Sequence, residues 1–251
     1  MPAPIAIQLY TVRELTKDDF AGVVRRIADI GYVGVEPAGF PGTTPAAAGE
    51  LFRKLGLAVP SAHTKLPLGD DKSEVLETMA AIGCTRIVSG KGAEDFKTLD
   101  SIRRVCDLFN EASAVAQANG LAVGYHNHWW EFEAVEGHMP YQVMLEHLDP
   151  SVFLQVDTYW VRTAGHDPVS VLKELGARAP LLHIKDGPAV QGQPMVAAGE
   201  GVMDFPAIIK ASEATTEWLI VELDQCATDM MAAVEKSYTY LVGEGLARGK
   251  R

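Results

Sequence analysis

The sequence predicts an α/β fold, a (β/α)8 TIM barrel, from three observations. Short β-rich runs alternate with helix-patterned runs from end to end, as in strand–helix units wound around a parallel sheet. The chain has 251 residues, and one such barrel typically takes about 250. The polar residues able to do chemistry follow the apolar runs, where the C-terminal ends of barrel strands would lie. One domain over residues 1–251 is therefore expected, since no linker, low-complexity tract or fixed-period repeat divides the chain. A doubly wound open sheet is the rival. Its first strand usually runs into a glycine-rich turn, whereas here strand one runs into LYTVREL.

Taken in order, the expected strands are IAIQLY from Ile5, YVGVEPA from Tyr32, LAVPSAH from Leu57 and TRIVSG from Thr85. LAVGYHNH from Leu121, SVFLQVD from Ser151, APLLHIKD from Ala179 and EWLIVELD from Glu217 complete the set of eight. Each is short, rich in β-branched residues and bounded by Gly, Pro or polar residues. Eight helices are expected between them. FAGVVRRIADIG, from Phe20, has apolar residues at helical spacing and stops at Gly31. The helix after strand three runs from near Lys72 to Gly83, the longest from Ser101 to Gly120, and the last from about Asp229 to Gly243. Glycine at these ends suits a left-handed C-terminal cap.

Composition narrows the function. Apolar residues make up 47% of the chain, enough for a large core, and the net charge is −11. Nucleic acid is not an expected partner, because phosphate binding needs a basic face. The acidic balance suits solubility and is compatible with a cation held among carboxylates. No apolar run approaches the roughly 20 residues of a membrane span, and MPAPIAIQLYTV lacks the basic and apolar regions of a secretory leader. Cys84, Cys106 and Cys226 are few, odd in number and far apart. They predict a reduced, cytoplasmic protein with structural cysteines.

Six of the eight strands end in groups able to do chemistry. Strand two ends with Glu36, strand three with His63, strand five with His126 and His128, and strand six with Asp157. Strand seven ends with His183 and Lys185, and strand eight with Glu222 and Asp224. Residues two apart on a strand share a face, so each of these pairs can point into one barrel mouth. Singly, each has a plainer explanation. A lone strand histidine is usually a satisfied core residue, Glu36 or Asp224 could pair with a neighbouring cation, and Lys185 could neutralise a carboxylate. Tyr125, Trp129 and Trp130 read first as packing residues. Buried polar groups are costly unless satisfied, however, and their convergence from several strands points to a shared ligand. One histidine of strand five with Asp157, His183 and Glu222 offers two imidazoles and two carboxylates, a set that would neutralise a divalent ion. Residues two apart on a strand are separated by roughly 6.6 Å, against metal–nitrogen bonds of about 2.0–2.1 Å. Only one of His126 and His128 should therefore bind.

The ordered set VGVEPAG, HNH, QVDTYW, HIKDG, GEGVMDFPAII and VELD resembles the sugar phosphate isomerase/epimerase family with xylose-isomerase-like barrels, over nearly the whole chain. The resemblance implies one divalent metal (Mn, Co, Fe, Zn or Mg) bound through Glu, Asp, His and Glu on strands five to eight. Asp157, His183 and Glu222 match the last three positions. His126 stands where many members carry glutamate, which makes it the expected fourth ligand with His128 beside it in the pocket. The implied chemistry is proton abstraction from a metal-chelated keto-sugar by Glu222. Glu131 or a histidine would then return a proton to the enediolate. Lys185 and His63 would hold hydroxyls or developing charge, His128 would meet substrate, and Glu36 would support a ligand or accept a substrate hydroxyl. The expected activity is that of a metal-dependent isomerase or epimerase on a keto-sugar or sugar phosphate. A lyase or dehydratase acting on a keto-sugar or keto-glycoside needs only one base and one acid. A sugar-binding barrel is the non-catalytic alternative. An endonuclease of the related repair-enzyme barrel is disfavoured by the acidic charge and the mononuclear ligand set. A small carbohydrate is the expected partner, and self-association is left open.

Overall fold

The strands are short and all parallel: β1 (Ile5–Gln8), β2 (Gly34–Glu36), β3 (Ala62–His63), β4 (Arg86–Ser89), β5 (Ala122–His126), β6 (Phe153–Asp157), β7 (Leu181–Ile184) and β8 (Trp218–Val221). In this computed structural model, which describes residues 1–250, they pair in the order β2-β1-β8-β7-β6-β5-β4-β3. Bridges from Gly34 to Ala58 and from Ala38 to His63 join the two ends of the sheet. There the backbone N–H of Val35 donates to Ala58 at 2.9 Å and that of His63 to Pro37 at 2.8 Å. The sheet is thereby wound into a (β/α)8 TIM barrel.

Strand three departs from expectation. Of the stretch from Leu57 only Ala62 and His63 form a ladder with β4. Pro60 has no N–H to donate, which confines the pairing before it to a single bridge. The helices are α1 (Arg13–Ile30), α2 (Pro45–Leu55), α3 (Lys72–Ile82), α4 (Leu99–Gln117), α5 (Pro140–His147), α6 (Thr158–Thr163), α7 (Pro168–Leu175), α8 (Phe205–Ser212) and α9 (Met230–Gly243). Helix α1 starts before the expected Phe20, but Asp19 has φ −146° and ψ 79° and breaks it in two. The Asp19 carboxylate accepts from Gly22 N at 2.8 Å and caps the second half, which is the part marked by the apolar pattern. Two helices rather than one follow β6, because Asp157 caps α6 and Asp167, followed by Pro168, starts α7.

Alternate strand residues divide the interior from the outer shell. Ala6, Val88, Phe153, Leu181 and Ile220 form a small apolar plug inside the barrel. A Cβ on Gly124 would lie 2.1 Å from the Phe153 ring, so glycine is what admits that ring. Two larger apolar clusters fill the space between strands and helices. Among the described residues no helix is long and apolar enough to cross a membrane. The inward positions nearer the strands' C-terminal ends are polar, and they build the site.

Candidate metal centre

Four neighbouring strands bring His126, Asp157, His183 and Glu222 together. One potential ligand atom from each lies within 4.8 Å of the others, and all four residues are buried. A second grouping of His63, His126 and His183 also meets that spacing. His128 belongs to neither.

A layer of hydrogen bonds beneath these groups sets their protonation. The Gln155 amide donates to Glu36 Oε2 at 2.5 Å, so its oxygen faces His126 Nδ1 at 3.0 Å. His126 Nδ1 therefore carries the proton, and Nε2 keeps its lone pair. Burial, reinforced by His183, His63 and His128 nearby, holds the His126 pKa well below the usual histidine value. A neutral imidazole is the form that binds metals. His183 is different. Its Nδ1 meets Glu222 Oε2 at 2.6 Å and its Nε2 meets Glu36 Oε1 at 2.8 Å. Burial opposes the charge on this ring, but Glu36 and Glu222 outweigh it and raise the pKa to about 10.

Glu36 lies under the site and does not line the cavity. It is wholly buried and accepts from the Ser61 hydroxyl, Gln155 and His183, with His63 Nε2 at 3.2 Å. Burial would raise its pKa, but His63 and His183 hold it well below the usual carboxylate range. The expected role as a substrate hydroxyl acceptor is therefore corrected: every approach to Glu36 is taken, and its place is behind His183, as metal-binding histidines are commonly supported.

Asp157 Oδ1 accepts from Trp160 N at 3.0 Å and caps α6. Its Oδ2 is buried without a hydrogen bond; only Lys185 Nζ lies near, at 3.0 Å. Asn127 holds the Asp157 backbone from both sides, accepting from its N–H at 2.9 Å and donating to its carbonyl at 3.2 Å. Burial raises the Asp157 pKa, with Lys185 the main opposing influence. The Lys185 ammonium also sits 2.9 Å from Glu222 Oε2 and 2.8 Å from Asp224 Oδ2. Burial works against its charge, but Asp157, Glu222 and Asp224 outweigh it and raise its pKa well above 10.5. Burial likewise opposes ionisation of Glu222, and Lys185 and His183 reverse it, so that carboxylate stays ionised. The donor set fits a divalent ion: an imidazole with a free lone pair, a buried carboxylate oxygen lacking a hydrogen bond, and a histidine–glutamate pair beside it.

Above this floor opens a cavity of about 410 Å³. His63, His126, His128, Lys185, Glu222 and Asp224 reach its wall, with Lys91 and Trp130 completing the side formed by β4 and β5. The His128 ring stacks on Trp130 at 4.2 Å and meets His126 edge-on at 5.1 Å. Trp130 thus lines the cavity, whereas Tyr125 is core, as expected of it. Trp129 packs against Trp130 and Trp160.

Glu131 does not turn back toward the substrate. It is wholly buried, accepting from Tyr125 Oη at 2.6 Å and from His128 N at 2.8 Å. Tyr125 faces the outer shell because it alternates with His126, and its hydroxyl draws the carboxylate to that side. The role of second base is therefore corrected: Glu131 holds His128, which lines the cavity, and is not itself on the wall. Sequence reasoning missed Gln155 and Asn127. Gln155 shares a strand face with Asp157, and the same two-residue rule could have found it. Asn127 sits between the paired histidines and carries no comparable signal. It also missed Lys91, which no pattern marks.

The family profile described as "Xylose isomerase-like TIM barrel" matches residues 24–237. Two crystal structures of sugar phosphate isomerase/epimerases from Parabacteroides distasonis ATCC 8503 are similar along the full length. One is 27% identical with a TM-score of 0.81, covering 98% of this chain and 100% of the other. The second is 24% identical with a TM-score of 0.83, covering 99% and 96%. The crystal structure of an IolI protein with a binding zinc atom is 15% identical, with a TM-score of 0.71 and coverage of 97% and 99%. No curated protein matches the chain.

Proposed function

The chain belongs to the xylose isomerase-like TIM barrel family, and from that premise we propose that it is a divalent-metal-dependent enzyme that isomerises a keto-sugar or sugar phosphate through an enediolate. One observation carries the reading: four buried donors, from His126, Asp157, His183 and Glu222, meet at the floor of an open cavity. These four residues would hold the ion. Imidazole donors favour Mn, Co, Fe or Zn over Mg. A bound ion would polarise a substrate carbonyl and stabilise the negative charge that develops on its oxygen.

The protein's own groups supply the rest. Glu222 is ionised and reaches the cavity wall, so it takes the α-proton. The Lys185 ammonium, 2.9 Å from Glu222 Oε2, donates to the oxygen on which charge develops. His63 and His128 hold hydroxyls. Among the described residues the acidic groups on the wall, Glu222 and Asp224, both come from the end of β8, so base catalysis is one-sided. A single base that moves a proton between adjacent carbons on one face accomplishes isomerisation. Epimerisation needs a donor on the opposite face, where Glu131 is turned away. The same one-sidedness favours, as a second reading, a lyase that expels a β-leaving group from the enediolate. A reducing, cytoplasmic setting accords with three free cysteines.

NMR of the manganese-loaded protein with a panel of ketoses, ketose phosphates and keto-glycosides in D2O tests this. An aldose carrying deuterium at the former carbonyl carbon is expected, and Glu222→Gln should abolish it. Elimination products would move the assignment to the lyase. Stoichiometric metal with neither product nor α-proton exchange across the panel would contradict both and leave a sugar-binding barrel.

A further inference from the structure

Lys91 is a cation on the cavity wall that the mechanism does not use. It lies just beyond β4, between Gly90 and Gly92, and is half-buried. In the sheet order β4 is separated from β8 by β5, β6 and β7, so Lys91 faces the carboxylates of β8 across the mouth. Each carboxylate on the β8 side has a cation beside it, since Lys185 meets Asp157, Glu222 and Asp224. Lys91 has no such match: among the described residues no carboxylate lies within ion-pair distance of it, and its ammonium makes no hydrogen bond.

Its backbone, in contrast, is anchored. The Tyr125 hydroxyl donates to Glu131 at 2.6 Å, and Glu131 also accepts from His128 N at 2.8 Å. One buried carboxylate thus fixes the His128 turn, on which the Lys91 turn packs. A Cβ on Gly90 would lie 3.0 Å from the His126 carbonyl oxygen and 3.2 Å from the His128 ring, so the turn is packed directly against the end of β5. A half-buried cation that faces a cavity and lacks an acidic partner is free to meet an anion brought by a ligand.

We propose that Lys91 binds an anionic substituent, a phosphate or a carboxylate, carried by the sugar on the side remote from the reacting carbons. The inference rests on the keto-sugar reading and adds the charge class of the substrate.

The test is calorimetric binding to the manganese-loaded protein of D-fructose, D-fructose 6-phosphate, D-fructuronate and inorganic phosphate, compared between wild type and Lys91→Met. A charged ketose should bind about tenfold more tightly than D-fructose, as expected of one charge-assisted contact. Lys91→Met should bring that ratio to within about twofold while D-fructose affinity and metal content hold, and Lys91→Arg should retain it. Whether the lysine-dependent gain belongs to the phosphate or the carboxylate names the class. A ratio unchanged in Lys91→Met, or a wild-type preference for neutral D-fructose, overturns the inference. If no ketose binds but inorganic phosphate binds in a Lys91-dependent way, the keto-sugar reading fails and the anion site stands. Absence of any Lys91-dependent anion binding refutes the site whatever the sugars do, and unaltered metal content in Lys91→Arg guards against a misfolded variant.

Discussion

His126 and His128 are one residue apart and face the same cavity, yet they differ in what lies behind them. His126 rests on the Gln155 oxygen, which fixes its free nitrogen. His128 rests on the Trp130 ring, with its backbone held by Glu131. His126→Ala should therefore lose most of the bound metal, and His128→Ala should keep it; elemental analysis of the purified variants checks both. Glu131→Gln should also keep metal. It replaces a buried carboxylate that accepts two hydrogen bonds by an amide with only one accepting oxygen, a loss of about 1–3 kcal/mol in denaturant unfolding. Full stability in that variant would show that Glu131 does not hold Tyr125 and the His128 turn. His183 gives a pH dependence. Its pKa in the fold, about 10, lies above the ordinary histidine value of about 6.5. Its pairing with Glu36 and Glu222 thus stabilises the metal-free protein fully below pH ~6.5 and is lost as the pH climbs through about 10. A metal must displace that proton, so affinity should rise about tenfold per pH unit up to about pH 10. Titrations in two buffers of different ionisation enthalpy should detect about one proton released per ion at pH 7. No proton release would mean that His183 is not a ligand.

At the scale of elements, the strand pattern was legible because each barrel strand is an apolar run ending in polar groups. The two-residue period put His126 with His128 and Glu222 with Asp224 on the cavity wall, whereas His183 lies buried beneath it. It failed where a residue's side depends on the turn that follows. Glu131 is close to β5 in sequence, but the outward Tyr125 hydroxyl captures it. Glu36 was recognised as belonging to the mouth, while the depth at which it sits depends on Ser61 and Gln155 closing over it. Helix α1 was seen only in its second half because the break at Asp19 restarts the pattern. The packing of β5 against β6 is tight enough to test. Gly124→Ala would drive a methyl group into the Phe153 ring, which lies 2.1 Å from the Cβ position. It should destabilise the barrel by about 1–3 kcal/mol, as the urea midpoint would report. An unchanged midpoint would show that the plug can shift without loss.

For the whole molecule, the fold separates two duties. The apolar plug and outer clusters hold eight short strands in register, and the mouth concentrates charges that would be costly to bury one by one. In the metal-free chain Lys185 and protonated His183 offset part of the carboxylate charge before any ion enters. The central claim is that an ion sits among His126, Asp157, His183 and Glu222. It is tested most directly by anomalous diffraction from crystals of the manganese-loaded protein. The expected result is one peak per chain, within about 2.0–2.3 Å of His126 Nε2, Asp157 Oδ2, His183 Nδ1 and a Glu222 oxygen. A peak held instead by His63, His126 and His183, or no peak at the barrel mouth, would contradict it.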